Sequence, residues 1–434
     1  MKTTLYYTQY LIALFLVLGL VAAQAQEFGT VENFRYPDQR GVNVFEAPKD
    51  TESQFDGIKV RIGGSSTLQF QGLDHSNYMT NSGEIGSENE LIGLAHNFNL
   101  ATANLDLDVQ LAEGVRMHLR TYLSSRHHHE PYVKGGYFQI DNLNFIKEGF
   151  MANAMSALTL KIGHMENNYG DAHFRRSDNS QAIYNPFVGN YIMDAFTTEV
   201  GAELYYRRNG WLAMAGVSNG KLNQAPTNPD GTKAAFLGKF GYDKQLSDDF
   251  RLRLTGSLYT IGTASRIYLY SADRTGSRYY NVMEPISAEG KDNFRSGRWN
   301  PSFAGNITAV MINPFLKYKG LEFFGTYERS NGGDARGSTE ERTWDQIAGE
   351  VVYRFGQKER VYVGARYNTA GGKLSAADAN EVTINRTQLA AGWFLTRNIL
   401  AKVEYVNQKY KDFDSSFYMD GKFDGVMVEA VIAF

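Results

Sequence analysis

Apolar and polar residues alternate one for one in segment after segment of this chain. Ile58, Val60, Ile62, Leu68 and Phe70 share one parity, with Lys59, Arg61, Thr67, Gln69 and Gln71 on the other. Leu105, Leu107, Val109 and Leu111 alternate with Asp106, Asp108 and Gln110. After the turn "AEG", Val115, Met117, Leu119, Thr121 and Leu123 alternate with Arg116, His118, Arg120 and Tyr122. A period of two sends successive side chains to opposite faces of a strand. In water an antiparallel sheet alternates this way when something covers its apolar face. The chain offers no helical segments to do the covering. The pattern therefore predicts an all-β fold, a transmembrane antiparallel β-barrel with lipid outside and water inside.

The connections sort by parity. About sixteen strands are expected, near 58–72, 93–112, 114–125, 135–147, 157–166, 198–208, 211–218, 233–243, 250–261, 306–318, 321–329, 343–355, 361–368, 382–395, 399–408 and 425–434. Short links are "AEG", "NG" at Asn209-Gly210, "KQLSDD", "KG" at Lys319-Gly320, "GQKER" and "TRN", with a longer exception near 148–157. The links between them are long. Tight turns on one rim and long loops on the other mark an outer-membrane barrel, and an even strand number puts both termini on the short-turn side. A soluble sandwich has no reason to sort its connections in this way. Trp211, Phe240, Phe250, Tyr318, Phe323, Phe355 and Trp393 lie near the short turns, where an interfacial girdle is expected.

Composition agrees. The chain has 43 Gly, 9 Pro and 27 each of Phe and Tyr, a vocabulary of strands and turns. It is too polar on average for a bundle of membrane helices. With no Cys it has no disulfide, thiolate metal site or thiol nucleophile. A formal charge of −3 gives no argument for nucleic-acid binding. Lys2, the apolar run "LIALFLVLGLVAA" and Ala23-Gln24-Ala25 read as a secretory signal peptide over 1–25, too short to span a membrane. Residues 26–57 lack a period and form either an N-terminal periplasmic extension or a plug. The barrel then occupies 58–434.

The stretch from Asn167 to Glu199 has no sustained period, which is unusual for a connection. It carries Asp171, Asp178, Asp194, Arg175 and Arg176 among Phe174, Tyr184, Phe187, Tyr191, Ile192, Met193 and Phe196. That apolar content must be buried rather than left as an exposed patch. A single re-entrant segment that narrows the barrel mouth is the expectation.

The chain ends on "VMVEAVIAF", with Val426, Val428, Ala430, Ile432 and Phe434 on one face. A terminal Phe closing an amphipathic strand resembles the signal read by the barrel assembly machinery. With this ending, the loop rhythm and the leader, nearly the whole mature chain resembles the general porins of Gram-negative outer membranes. The wording of its loops resembles porin-like proteins of Bacteroidota. The resemblance implies an outer-membrane location, a homotrimer, and a third outer loop folded inward as a constriction; the 167–197 loop follows the fifth strand. General porins set an acidic loop against a basic wall. This loop mixes both signs, so the ion preference stays open.

Arg61, Arg116 and Arg120, with Lys59, are expected on the inner wall, and Asp171, Arg175, Arg176, Asp178 and Asp194 on the constriction. The competing reading neutralises the wall through Asp106 and Asp108 in a cross-strand ladder. For Arg175 and Arg176, anchoring of the loop through Asp171 and Asp178 is the favoured reading, and Arg251 and Arg253 on the ninth strand suit a basic wall. His127, His128, His129 and Glu130 read as a solvated loop tip, because adjacent imidazoles on a strand diverge. No nucleophile elbow, phosphate-binding glycine loop or H-E-x-x-H motif occurs, so neither catalysis nor a cofactor is expected. The long loop 262–305, with Tyr268, Tyr270, Tyr279, Tyr280 and Trp299, suits a vestibule, a subunit contact or a surface cap. The function expected is passive or weakly selective diffusion of small hydrophilic solutes and ions. Its alternatives are a substrate-specific uptake channel, for oligosaccharide or hydrophobic substrates, with 26–57 as a hatch, and a blocked structural or adhesive barrel. Outer-membrane lipid is the partner common to all three.

Overall fold

A computed structural model describes residues 31–49, 55–82, 88–123, 132–177, 181–222, 226–228, 231–271, 278–289, 295–334, 340–414 and 417–434. The leader expected at 1–25, the loop tip expected at His127–Glu130, and Asp178 lie outside these residues. The strands are β1 (Lys59–Ser76), β2 (Asn97–Ala112), β3 (Val115–Leu123), β4 (Tyr132–Ile140), β5 (Leu158–Glu166), β6 (Thr198–Arg208), β7 (Trp211–Ser218) and β8 (Ala235–Gln245). They continue as β9 (Phe250–Ala264), β10 (Phe303–Tyr318), β11 (Leu321–Asp334), β12 (Glu341–Phe355), β13 (Val361–Gly372), β14 (Val382–Thr396), β15 (Ile399–Lys411) and β16 (Lys422–Ala433). Each pairs antiparallel with its sequence neighbours, and β1 closes on β16. The seam runs from Ser65 opposite Ala433 to Ser76 opposite Lys422, and Phe434 and Gly64 exchange both backbone hydrogen bonds beside it. Closure leaves no edge strand.

The two faces of the wall are inverted relative to a water-soluble protein. On β12, Glu350 and Arg354 are 1% and 3% exposed, whereas Val351 and Tyr353 are 48% and 45% exposed. On β15, Lys402 and Glu404 are buried and Val403 and Tyr405 exposed. Charges almost never bury unless paired, and a band of aliphatic side chains facing outward has a favourable solvent only in lipid. Trp211 and Phe240 stack on the exposed face at 5.5 Å, and Tyr318, Phe323, Phe355 and Trp393 are exposed near the same rim. Tight turns there use residues that tolerate positive φ, as at Asn209 (54°) and Gly210 (89°) between β6 and β7.

The fourth strand ends well before its pattern predicts. β4 stops at Ile140 rather than near residue 147. The "DNLN" run that follows turns on its own side chains: Asn142 Oδ1 accepts from the Asn144 amide (3.2 Å) and Asn144 Oδ1 from the Gly149 amide (3.0 Å). Asn side chains offer the backbone a local alternative to the ladder.

Candidate functional site

Three segments fill the interior, and the inward-facing charges of the wall hold them. The first is the connection after β5. Asn167 closes its neck on the Thr197 carbonyl (3.1 Å). Asp171 receives two hydrogen bonds of 2.8 Å from Arg253, one of 2.7 Å from Thr255 and one of 3.0 Å from Lys239. Further along, the Ile192 amide donates to Asn368 (2.7 Å), the Met193 amide to Gln346 (2.8 Å) and the Val188 amide to Glu404 (2.8 Å). Lys402 donates to the carbonyls of Ala182, Asn185 and Phe187. A single segment that reaches inner-face residues from β8 to β15 runs across the barrel. Its side chains Phe187, Val188, Ile192 and Met193 are fully buried.

The second segment is the connection between β9 and β10, and it corrects the expectation of one re-entrant loop. Tyr270 donates to Glu328 (2.6 Å) and Tyr279 to Glu404 (2.6 Å). The Phe196 amide donates to the Leu269 carbonyl (2.8 Å), and the Trp299 amide to the Ile192 carbonyl (2.7 Å), so this loop lies on the first. Of its aromatic side chains, open to three readings in sequence, Tyr270 and Tyr279 are hydroxyl partners of inward carboxylates, and the Trp299 ring packs on Trp344, Phe413 and Tyr418.

Residues 31–49 form the third. The Gln39 amide meets the Arg397 carbonyl in the turn between β14 and β15 (2.8 Å), and Lys49 meets Asp141 after β4 (3.2 Å), so the segment enters from the short-turn rim. Glu46 takes hydrogen bonds of 2.8 and 3.1 Å from Arg253. Arg35 donates to the Phe174 carbonyl (3.0 Å), and Tyr184 donates to the Tyr36 carbonyl (2.6 Å). Arg253 thus joins wall, loop and N-terminal segment.

Burial alone would raise the Glu46 carboxyl, but Arg253 and Lys239 more than offset it and hold it at about 2, against an ordinary 4.5. The same competition, burial against Arg253 and Lys239, leaves Asp171 well below the usual carboxylate range. Burial lowers Arg35 to about 10, so it stays charged at neutral pH. Burial also lowers His173, partly countered by its hydrogen bond to Glu166.

The wall cations predicted from sequence separate into two roles. Arg61 pairs with Asp108 (3.1 Å) and Arg120 with Asp106 (2.7 Å), the cross-strand ladder weighed against a bare basic wall. Arg116 and Arg120 border a cavity of about 180 Å³ between β2–β5, the first loop and the N-terminal segment. The loop residues expected on the constriction are placed differently. Asp171, Arg175, Arg176 and Asp194 are all buried and none borders this cavity. Arg175 meets Glu350 (3.3 Å) and Asn43 (2.5 Å), while Arg176 and Arg298 share Asp194 (2.5 and 2.8 Å). They anchor the loop because a buried charge is stable only with a partner. Sequence reasoning missed Arg35, Lys161 and His173 on the cavity, and Glu350, Arg366, Arg386, Lys402, Glu404 and Glu429 on the wall. The strand residues among them were findable by the parity that marked Arg116 and Arg120.

No family model matches the chain, and no curated protein matches it. Solved structures do. The outer-membrane channel DcaP of Acinetobacter baumannii superposes with a TM-score of 0.53 at 12% identity, over 88% of this chain and 99% of its own. The anion-selective porin from Comamonas acidovorans gives 0.53 at 12%, over 87% and 100%. OmpT, an outer membrane protein of Vibrio cholerae, in its trimer form gives 0.52 at 10%, over 87% and 100%. The likeness is one of fold: the chain is a closed β-barrel of the outer-membrane type.

Proposed function

We propose that this chain is an outer-membrane porin that lets small hydrophilic solutes and ions diffuse across with weak selectivity. The observation that carries this reading is the inverted wall, aliphatic outward and charged inward, around a charge-lined cavity. No reaction is assigned to it. The leader at 1–25 exports it and Phe434 presents the C-terminal strand to the assembly machinery. The trimer and the Bacteroidota-type relationship follow from the sequence resemblance, and one similar structure is described in a trimer form.

A second reading, a substrate-specific channel with a hatch, is favoured by one observation: residues 31–49 are tied to the wall and to the first loop. Liposome swelling with sugars of graded size separates the readings. A diffusion pore swells liposomes with monosaccharides and progressively less with larger sugars. Swelling that appears only after removal of 26–57 favours the hatch, and none in either form identifies a blocked barrel.

The ladder on β2 and β3 sets the expected ion preference. Reversing Arg116 and Arg120 together to Glu places two carboxylates beside Asp106 and Asp108. Rings of fixed charge set permeant-ion preference, so the cation-to-anion permeability ratio should rise several-fold. The reversal potential in a KCl gradient measures this. An unchanged potential would remove these residues from the conducting path.

A further inference from the structure

The cavity beside β3–β5 holds two arginines, Arg116 and Arg35, whose hydrogen-bond partners are neutral, although its carboxylates are all engaged. Asp106 is bound by Arg120 at 2.7 and 2.9 Å, and Asp108 by His118 (2.7 Å) and Arg61 (3.1 Å). Glu166 is bound by His173 (2.8 Å) and Gln181 (3.0 Å), and Glu46 by Arg253. Arg116 is 4% exposed, donates from Nη2 to the neutral Gln139 (2.7 Å), and its Nε has no acceptor. Arg35 donates to the carbonyls of Gly41 and Phe174 and lies 3.7 Å over the Tyr184 ring. Lys161 lies 4.5 Å from the Tyr137 ring centre, with Glu203 at 3.9 Å.

A buried guanidinium N–H without an acceptor calls for a ligand or an ordered water. Arginine forks match carboxylates, and charge-assisted hydrogen bonds are the strong ones. Phe34, Tyr137, Phe174 and Tyr184 give the same cavity flat apolar walls. At about 180 Å³ it has room for roughly ten waters, more than a bare inorganic ion fills.

We propose that this cavity is a subsite for the anionic head of a small organic carboxylate, held jointly by Arg116 of the wall and Arg35 of the N-terminal segment. The proposal rests on the channel reading and names the solute class that the channel retains on its way through. Because Arg35 belongs to residues 31–49, the subsite is complete only while that segment is docked.

Equilibrium dialysis of benzoate against the full-length protein in detergent, with benzamide as its uncharged counterpart, tests this. Benzoate should bind saturably at one site and benzamide roughly tenfold more weakly or worse, since one charge-assisted contact is lost. Arg116→Gln and Arg35→Gln should each weaken benzoate by a similar factor, and Arg116→Lys by less. Arg329→Gln, an exposed position on β11, should leave it unchanged. Arg35 lies outside the strands, so its variant reads the site even where a wall variant fails to assemble. Equal binding of benzamide, no saturable benzoate binding, or wild-type affinity in both Gln variants would overturn the proposal. Conductance of the same preparation keeps the two readings apart. Current steps without benzoate binding overturn the subsite alone, while benzoate binding in a silent barrel supports the subsite and overturns the diffusion pore.

Discussion

Deleting residues 26–57 should raise single-channel conductance several-fold while leaving the barrel assembled. The described parts of this stretch, 31–49 and 55–57, contribute no strand, and the sheet closes through β1 and β16 without them. Its contacts are ion pairs, hydrogen bonds and the packing of Phe45 on Phe315 and Phe324. Arg253 loses Glu46 but retains Asp171 (2.8 Å) and Asp243 (3.1 Å). Removing one partner of a buried pair costs about 3–5 kcal/mol when it strands the other, and Arg253 is not stranded. What is lost is the obstruction at the short-turn rim, and with it Phe34, Arg35, Phe45 and Glu46 from the cavity lining. Unchanged conductance in planar bilayers would mean that ions pass clear of this segment.

Asp171→Ala should also leave the barrel assembled, but its currents should be large and fluctuating rather than steadily raised. Asp171 is the fully buried carboxylate on which Arg253, Thr255 and Lys239 converge. Its removal leaves Lys239 and Arg253 with Glu46, itself shared between them, as their remaining close carboxylate from the interior segments. Both cations keep a carboxylate, so the cost stays below the about 3–5 kcal/mol of a stranded charge, but the first loop loses the four hydrogen bonds that Asp171 accepts from the wall, and its docking is weakened. The strand ladder does not depend on this side chain. Quiet steps of wild-type size in the variant would show that the loop is held elsewhere, through Lys402 and Glu404.

The same cluster fixes the pH response. Glu46 and Asp171 have folded values below their ordinary ones, so the stability they contribute is fully present above the ordinary value and is lost as pH falls through the folded one. For Glu46 that window runs from about 4.5 down to about 2. Conductance should therefore not respond to these two groups between pH 7 and 5, and loosening should begin only below about 4.5. A transition near pH 6 that is abolished by Glu46→Gln would contradict the ion-paired arrangement.

The wall was legible in the sequence because its rule is local. Each strand needs lipid on one side and polar contents on the other, and Leu105 to Leu111 already states that alternation. The end of β4 was not legible, since Asn142 and Asn144 act through their own side chains against an otherwise suitable pattern. The interior was legible in part. The apolar content of 167–197 shows that it must be covered, but Glu46, Asp171 and Arg253 lie on three segments far apart in the chain, and no period connects them. The Tyr residues of the second loop carried no sign of direction either, because a phenol suits a rim as well as a buried carboxylate such as Glu328 or Glu404.

That the segment after β5 crosses the interior and lies against β13 can be measured directly in a chain with no native cysteine. Ile192→Cys and Asn368→Cys, at positions joined by a 2.7 Å hydrogen bond, should form a disulfide on mild oxidation of the folded protein. The yield should approach that of Leu389→Cys with Tyr405→Cys, neighbours on β14 and β15. A control pair that closes fully beside a loop pair that stays reduced would contradict the account.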